Sequence, residues 1–166
     1  MSPPQPPHPP RLPLFRETVR PEWIDYNGHM SEAFYVLVFG FATDALMERT
    51  GMDSAYLKST GCSMYTVESH IRYLRDVPEG ASLAVRTRVL GATGKKARFT
   101  HEMYVVPDPQ AEPEADADPV ATTELLALHV DQEAGRATVF PDPVRDRLTK
   151  LTEQPPGWAG RSITAP

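Results

Sequence analysis

Residues 30–49, MSEAFYVLVFGFATDALMER, are apolar almost all the way round a helix, with polar side chains confined mainly to Ser31, Glu32, Thr43, Asp44, Glu48 and Arg49. Such a helix is stable in water only when protein covers most of its sides, so the stretch predicts a long, buried, central helix. Asn27 or Ser31 stands where an N-cap is needed, and Gly51 follows the last turn, where a left-handed residue commonly closes a helix. Gly40, midway along, lowers helix propensity; close approach of another backbone would be its natural explanation.

Downstream the period drops from 3.6 to two. Tyr65, Val67, Ile71 and Tyr73 alternate with Thr66, Glu68, His70 and Arg72. Leu83, Val85 and Val89 alternate with Arg86 and Arg88, and Phe99, Met103 and Val105 with Arg98, Thr100 and Glu102. These read as half-buried strands. Val120–Val130 makes a fourth run, and Leu14–Arg20, upstream of the helix, a short extra one. Turn chemistry falls between them, at PEG (78–80), GATGKK (91–96) and QEAG (132–135). The class this predicts is α+β: an antiparallel sheet of about five strands, joined mainly by hairpins and wrapped around the long helix. GATGKK lacks the spacing and the Ser or Thr of a phosphate loop and reads as a hairpin turn.

The edges of the ordered region follow from composition. Eighteen prolines and a net charge of −5 are unevenly spread over the 166 residues. Residues 1–13 read as a disordered proline-rich arm, residues 14–152 as one domain, and residues 153–166 as a tail in which Trp158 either anchors on the body or sits exposed. Inside the domain, the acidic run at 107–119 cannot bury surface and reads as a flexible insertion. The negative balance argues against nucleic acid as a partner. The longest apolar run, Phe34–Ala42, is too short to cross a bilayer, and Cys62, the only cysteine, allows no intrachain disulfide. A cytoplasmic protein is the expectation.

Immediately before the helix, WIDYNGHMSEAFY (23–35) sets Asp25 beside Gly28 and His29. Two readings fit. Asp25 and Asn27 can satisfy the unpaired N–H groups of the helix start. Alternatively, the helix end binds a developing oxyanion while Asp25 attacks, or activates water, beside it. No GxSxG, HExxH or paired CxxC motif points to serine-hydrolase or zinc chemistry.

The arrangement D-x-x-G-H-x-x-x-x-x-Y formed by Asp25, Gly28, His29 and Tyr35, at the start of a long apolar helix, resembles the hotdog-fold acyl-CoA thioesterases of the 4-hydroxybenzoyl-CoA thioesterase type. The resemblance covers roughly Phe15–Leu148. Within that family, WIDYNGHMSEAFY, FGFATDAL (39–46) and YTVESHIRYLRDV (65–77) look like the betainyl-CoA thioesterases of carnitine breakdown, from whose pattern Ser31 and Phe34 depart. The resemblance implies that Asp25 is the catalytic carboxylate, as nucleophile or general base. It also implies that backbone N–H groups near Gly28 and His29 polarise the thioester carbonyl, and that Thr66 and Glu68, taken to share one face of a strand, are second-tier catalytic candidates. Substrate-binding candidates are Trp23, Tyr26, Phe34, Tyr35, Tyr65 and Tyr73. A trimethylammonium acyl group would need such rings, with Glu32 or Glu68 as counter-charge. A homodimer with sites at the interface, or a tetramer, is implied. No metal or redox cofactor is needed, and CoA is part of the substrate. Hydrolysis of another short aliphatic or aromatic acyl-CoA, or binding of an acyl-CoA without turnover, stays open on these residues.

Overall fold

The computed structural model describes residues 11–166. Most of the proline-rich arm expected over residues 1–13 therefore lies outside the described residues. The elements are β1 (Phe15–Thr18), α1 (Glu32–Thr50), α2 (Ser54–Thr60), β2 (Cys62–Tyr73), β3 (Ser82–Thr93), β4 (Lys96–Val106), β5 (Ala121–Asp131), β6 (Arg136–Ala137) and α3 (Asp142–Lys150). The strands form one antiparallel sheet in the order β1-β3-β4-β5-β2, with β6 paired to the end of β5. A curled antiparallel sheet around one long helix is the hotdog arrangement that the resemblance implies. Hairpins join β3 to β4 and β4 to β5. The β2–β3 connection is instead a crossover, because β2 pairs with β5 at one edge and β3 with β1 near the other.

Helix α1 begins at Ser31 and ends at Gly51, whose φ of 90° is left-handed and whose N–H closes the last turn onto Met47 and Glu48. A Cβ on Gly51 would also run into the Arg147 guanidinium of α3, so that position needs glycine twice over. The inward face of α1, Tyr35, Val38, Phe39, Ala42 and Leu46, packs onto the concave face of the sheet, against Leu83, Val85, Phe99, Met103 and Leu125. The chain covers only that side. Val36 and Leu37 remain exposed on the opposite face, along with Gly40, where a Cβ would meet nothing within 4 Å. Close backbone packing within the chain therefore does not account for Gly40.

Helices α2 and α3 have no counterpart in the period-based reading. Each is too short for a helical period to declare itself, but each carries end signals: Asp53 Oδ1 accepts the Tyr56 N–H at 2.9 Å, and Pro143 sits in the first turn of α3.

Two segments are better ordered than composition implies. In the acidic run at 107–119, Arg16 of β1 donates to the carbonyls of Pro109 and Ala111 and to the Glu112 carboxylate, at 3.2, 2.6 and 2.8 Å. A single guanidinium thus folds the insertion back onto the sheet. The C-terminal segment likewise crosses the convex face as a strap. Glu153 meets Arg86 at 2.9 Å, Trp158 Nε1 donates to Glu102 Oε1 at 3.1 Å, and the Gly160 N–H donates to Glu124. Glu102 and Glu124 point outward among arginines, and the strap supplies further partners that let Glu102 be buried and Glu124 half-buried. Ordered packing therefore continues past residue 152, and Trp158 is an anchor.

Candidate active site

The 23–31 loop is a short antiparallel turn pinned at both ends. Ile24 bridges Met30, the Asp25 N–H donates to the His29 carbonyl at 3.0 Å, and the Gly28 N–H returns to the Asp25 carbonyl at 3.0 Å. Gly28 takes φ 84°, a conformation that costs any other residue more. Its role in the loop is to make the turn: its own N–H is spent there, so it cannot also face a substrate carbonyl. Met30 N–H to Val77 (2.8 Å) and Ser31 N–H to Trp23 (2.9 Å) stitch the turn to the core.

Asp25 Oδ1 accepts the Asn27 N–H at 2.8 Å, while Oδ2 has no hydrogen-bond partner among the described residues. Behind it α1 opens with Ser31 as N-cap, whose side chain makes no capping bond. The first N–H groups of the helix, those of Glu32 and Ala33, have no intrahelical acceptor. Six residues of tightly hydrogen-bonded chain thus separate Asp25 from the first residue of the helix.

Around this core the other expected residues sort into three groups. Trp23 is only 4% exposed, with its ring stacked on Phe34 at 5.3 Å and Arg20 at 5.1 Å from its centroid. Trp23 is therefore a buried anchor of the loop, while Phe34 is half-buried and stacks on it. Tyr26, at the turn tip, is 99% exposed and touches nothing that would hold it over a site.

On β2 a bulge at Val67 changes the expected pattern: Thr66 pairs with Ala127, but Glu68 pairs with Leu126. Thr66 therefore lies on the concave face with core residue Ala127, whereas Glu68 and His70 lie on the convex face beside Glu124, Arg98 and Arg161. The one shared face expected for Thr66 and Glu68 does not exist, because strict alternation cannot anticipate an extra residue. Tyr65 also faces outward, with Gln132 donating to its hydroxyl at 2.6 Å.

Tyr35 and Tyr73 do come together, perpendicular with ring centroids 5.2 Å apart. They line a cavity of about 390 Å³ at the start of α1 with Met30, Glu32, Leu74, Arg75 and Asp76. Burial first, then the Asp76 carboxylate, pushes the Tyr35 phenol up; burial first, then Glu32, does the same to Tyr73. His29 reaches the same spot, with Nδ1 3.9 Å from Asp76 Oδ2. Asp76 is the residue missed by the sequence reading. Its signal was present in YLRDVPEG, a charged residue held between the end of a strand and a turn. A larger groove of about 560 Å³ runs between residues 11–14, β3 and the insertion, but the arginines it draws from β3 are already paired with Glu102 and Glu153. Among the described residues no cluster of His, Cys, Asp or Glu is suited to hold a metal ion, and no helix is long and apolar enough to cross a membrane.

Residues 19–148 match the model of the Thioesterase-like superfamily. A betainyl-CoA thioesterase of Pseudomonas aeruginosa is 39% identical over 142 residues, which cover 86% of this chain and 84% of that protein. An L-carnitine dehydrogenase/betainyl-CoA thioesterase of Agrobacterium fabrum is 41% identical over 158 residues, covering 93% of this chain but only 31% of the longer relative. Among solved structures, a Pseudomonas putida chain superposes with a TM-score of 0.75 at 33% identity, over 95% of this chain and 98% of that one. A Staphylococcus aureus protein solved in complex with CoA shares the fold, with a TM-score of 0.79 at 20% identity, over 94% of this chain and 97% of that one.

Proposed function

Because the chain belongs to the Thioesterase-like superfamily, its chemistry is that of a thioester hydrolase, and we propose that Asp25 and the open end of α1 carry that chemistry. The observation behind this reading is the turn itself, which leads directly into α1 and holds one Asp25 oxygen on the Asn27 N–H while leaving the other without a partner among the described residues. A carbonyl oxygen placed at the first N–H groups of α1 gains negative charge where the helix dipole favours it. Asp25 then attacks the carbonyl carbon, or takes a proton from water that does. The C–S bond breaks and CoA leaves as the thiolate; where water attacked, the acid is released directly, and where Asp25 attacked, water then cleaves the Asp25–acyl anhydride to release the acid and restore the carboxylate. Thiolate needs little acid assistance, and no step calls for a metal or redox cofactor.

The substrate we propose is betainyl-CoA, split to betaine and CoA, which would place the chain in carnitine catabolism. Support comes from the names of the P. aeruginosa and A. fabrum relatives. Thiol release from a panel of betainyl-, acetyl-, butanoyl- and benzoyl-CoA tests this directly. Betainyl-CoA is expected to show the highest kcat/KM. A higher value for an aliphatic or aromatic acyl group sinks the substrate, and silence on the whole panel sinks the hydrolase.

We further propose that two copies pair through β2. That strand is a sheet edge, and edges with apolar side chains invite pairing: Val67 is 53% and Tyr73 45% exposed. Residues 66 and 73 lie about 23 Å apart along one strand, too far to share a small site. Antiparallel pairing about a two-fold axis would bring the partner's Thr66 toward Tyr73, and would give the exposed Val36–Leu37–Gly40 face a counterpart. Val67→Lys is expected to halve the mass seen by sedimentation, from twice 18.4 kDa to the single-chain value, and to reduce turnover. A wild-type monomer with full activity contradicts the dimer.

A further inference from the structure

The cavity at the start of α1 combines features that suit one kind of chemical group. Tyr73 offers a half-exposed ring, which Tyr35 buttresses from the core, its hydroxyl donating to the Arg75 carbonyl at 3.2 Å. Glu32 and Asp76 line the same cavity. A quaternary ammonium has no hydrogen to donate, so only ring quadrupoles and negative charge can hold it.

One lining residue works against that: Arg75 is a cation in the same cavity. Its guanidinium, however, is turned to Asp118 at 3.0 Å. Asp118 closes the acidic insertion, whose far end Arg16 pins, and the next ordered backbone group, the Val120 carbonyl, accepts the N–H groups of both Leu74 and Arg75 at 2.9 and 3.1 Å. With side chains 60% and 76% exposed, the Arg75–Asp118 pair contributes little to stability. Its effect is to place a charge.

We propose that this cavity is the subsite for a quaternary-ammonium acyl head, with the Tyr73 ring and the Glu32 and Asp76 carboxylates as its walls, and that Asp118 of the acidic insertion is a specificity-determining positioning residue that keeps Arg75 out of it. The assignment rests on the hydrolase reading of the same site. It gives the insertion a role beyond that of a spacer.

The test compares kcat/KM for betainyl-CoA with that for tert-butylacetyl-CoA, which has the same shape with carbon in place of the charged nitrogen. Tyr73→Leu is expected to lower the cationic-to-neutral ratio about tenfold, whereas Tyr73→Phe, which keeps the ring, retains it. Asp118→Asn lowers the ratio severalfold, and adding Arg75→Gln in the same chain restores it, an outcome that a merely structural role for Asp118 does not produce. A ratio that stays constant in both Tyr73→Leu and Asp118→Asn overturns the subsite while leaving the hydrolase intact. Should the wild type split neither ester, the same ratio is read from calorimetric dissociation constants of the two acyl-CoAs, so the subsite and the hydrolase fail separately.

Discussion

Asp25→Asn is expected to lower kcat for acyl-CoA hydrolysis by about 10³-fold, the range spanned by loss of a positioned general base, with little change in acyl-CoA binding. The substitution is informative because of what it preserves. Asparagine retains a side-chain oxygen that can accept the Asn27 N–H, now held at 2.8 Å by Asp25 Oδ1. The turn, the Ile24–Met30 bridge and the approach to α1 therefore survive, and only the negative charge and the basic lone pair are lost. A capping role for Asp25 predicts the opposite pattern: nearly wild-type turnover, because asparagine caps and turns as well as aspartate. Thiol release under saturating substrate, alongside calorimetric binding of a non-hydrolysable acyl-CoA, separates the two. Unchanged kcat removes Asp25 from the mechanism. Loss of binding together with turnover makes the residue a fold element.

The long helix was legible from sequence because its signal is redundant: an apolar surface on every side, a cap position before it and Gly51 after it all agree. Strands β3 and β4 were legible from alternation along much of their length, and β5 from an apolar run bounded by turn chemistry. What escaped was local or required a second segment. The bulge at Val67 moved Glu68 to the convex face, and nothing in YTVESH marks an inserted residue. The ordering of the acidic insertion depends on Arg16, more than ninety residues away in sequence, and that of the strap on Glu102 and Glu124, whose side chains read as solvent-facing until Trp158 and Gly160 cover them. In the candidate site, the closeness of Asp25, Gly28 and His29 was legible because one turn holds them. The aromatic residues could not be ranked that way. Trp23, close to Asp25 in sequence, lies buried under the half-buried Phe34, while Tyr73 meets Tyr35 only because β2 passes the helix start. The exposed face at Val36, Leu37 and Gly40 was misjudged for a different reason. All-round apolarity predicts cover on every side, whereas the chain itself covers only the face toward the sheet.

Acid is expected to destabilise the fold through one group above all, His101. Its ring is fully buried between Phe39, stacked at 5.9 Å, and Phe99, edge-on at 5.4 Å. The hydrogen bonds fix its proton. Thr43 donates its hydroxyl hydrogen to the Phe39 carbonyl at 3.0 Å, so at 2.9 Å it can only accept from His101, which makes Nε2 the protonated nitrogen; Nδ1 then accepts from Thr87 at 2.8 Å. Every polar atom of the neutral ring is satisfied, and the network ties α1 to β3 and β4. The cation has no carboxylate within that shell, and burial holds the pKa down at about 3 against 6.5 for a free imidazole. Above pH 6.5 the ring is neutral in folded and unfolded chains alike and contributes no pH dependence. Below it the unfolded chain takes up a proton that the folded chain refuses, so stability falls with pH until the folded-state pKa is reached. At pH 5 the loss is about 2 kcal/mol, and on reaching pH 3 it is on the order of 5 kcal/mol, a large share of an ordinary domain's stability. His101→Gln keeps a donor and an acceptor in the cavity without a titrating group, at some cost at neutral pH. Carboxylates titrate equally in both proteins, so urea unfolding at pH 7 and pH 5 isolates the histidine. The wild type should lose about 2 kcal/mol more than His101→Gln between the two. Equal losses would mean that the ring takes up its proton inside the fold, and that the sealed Thr43–His101–Thr87 network opens in solution.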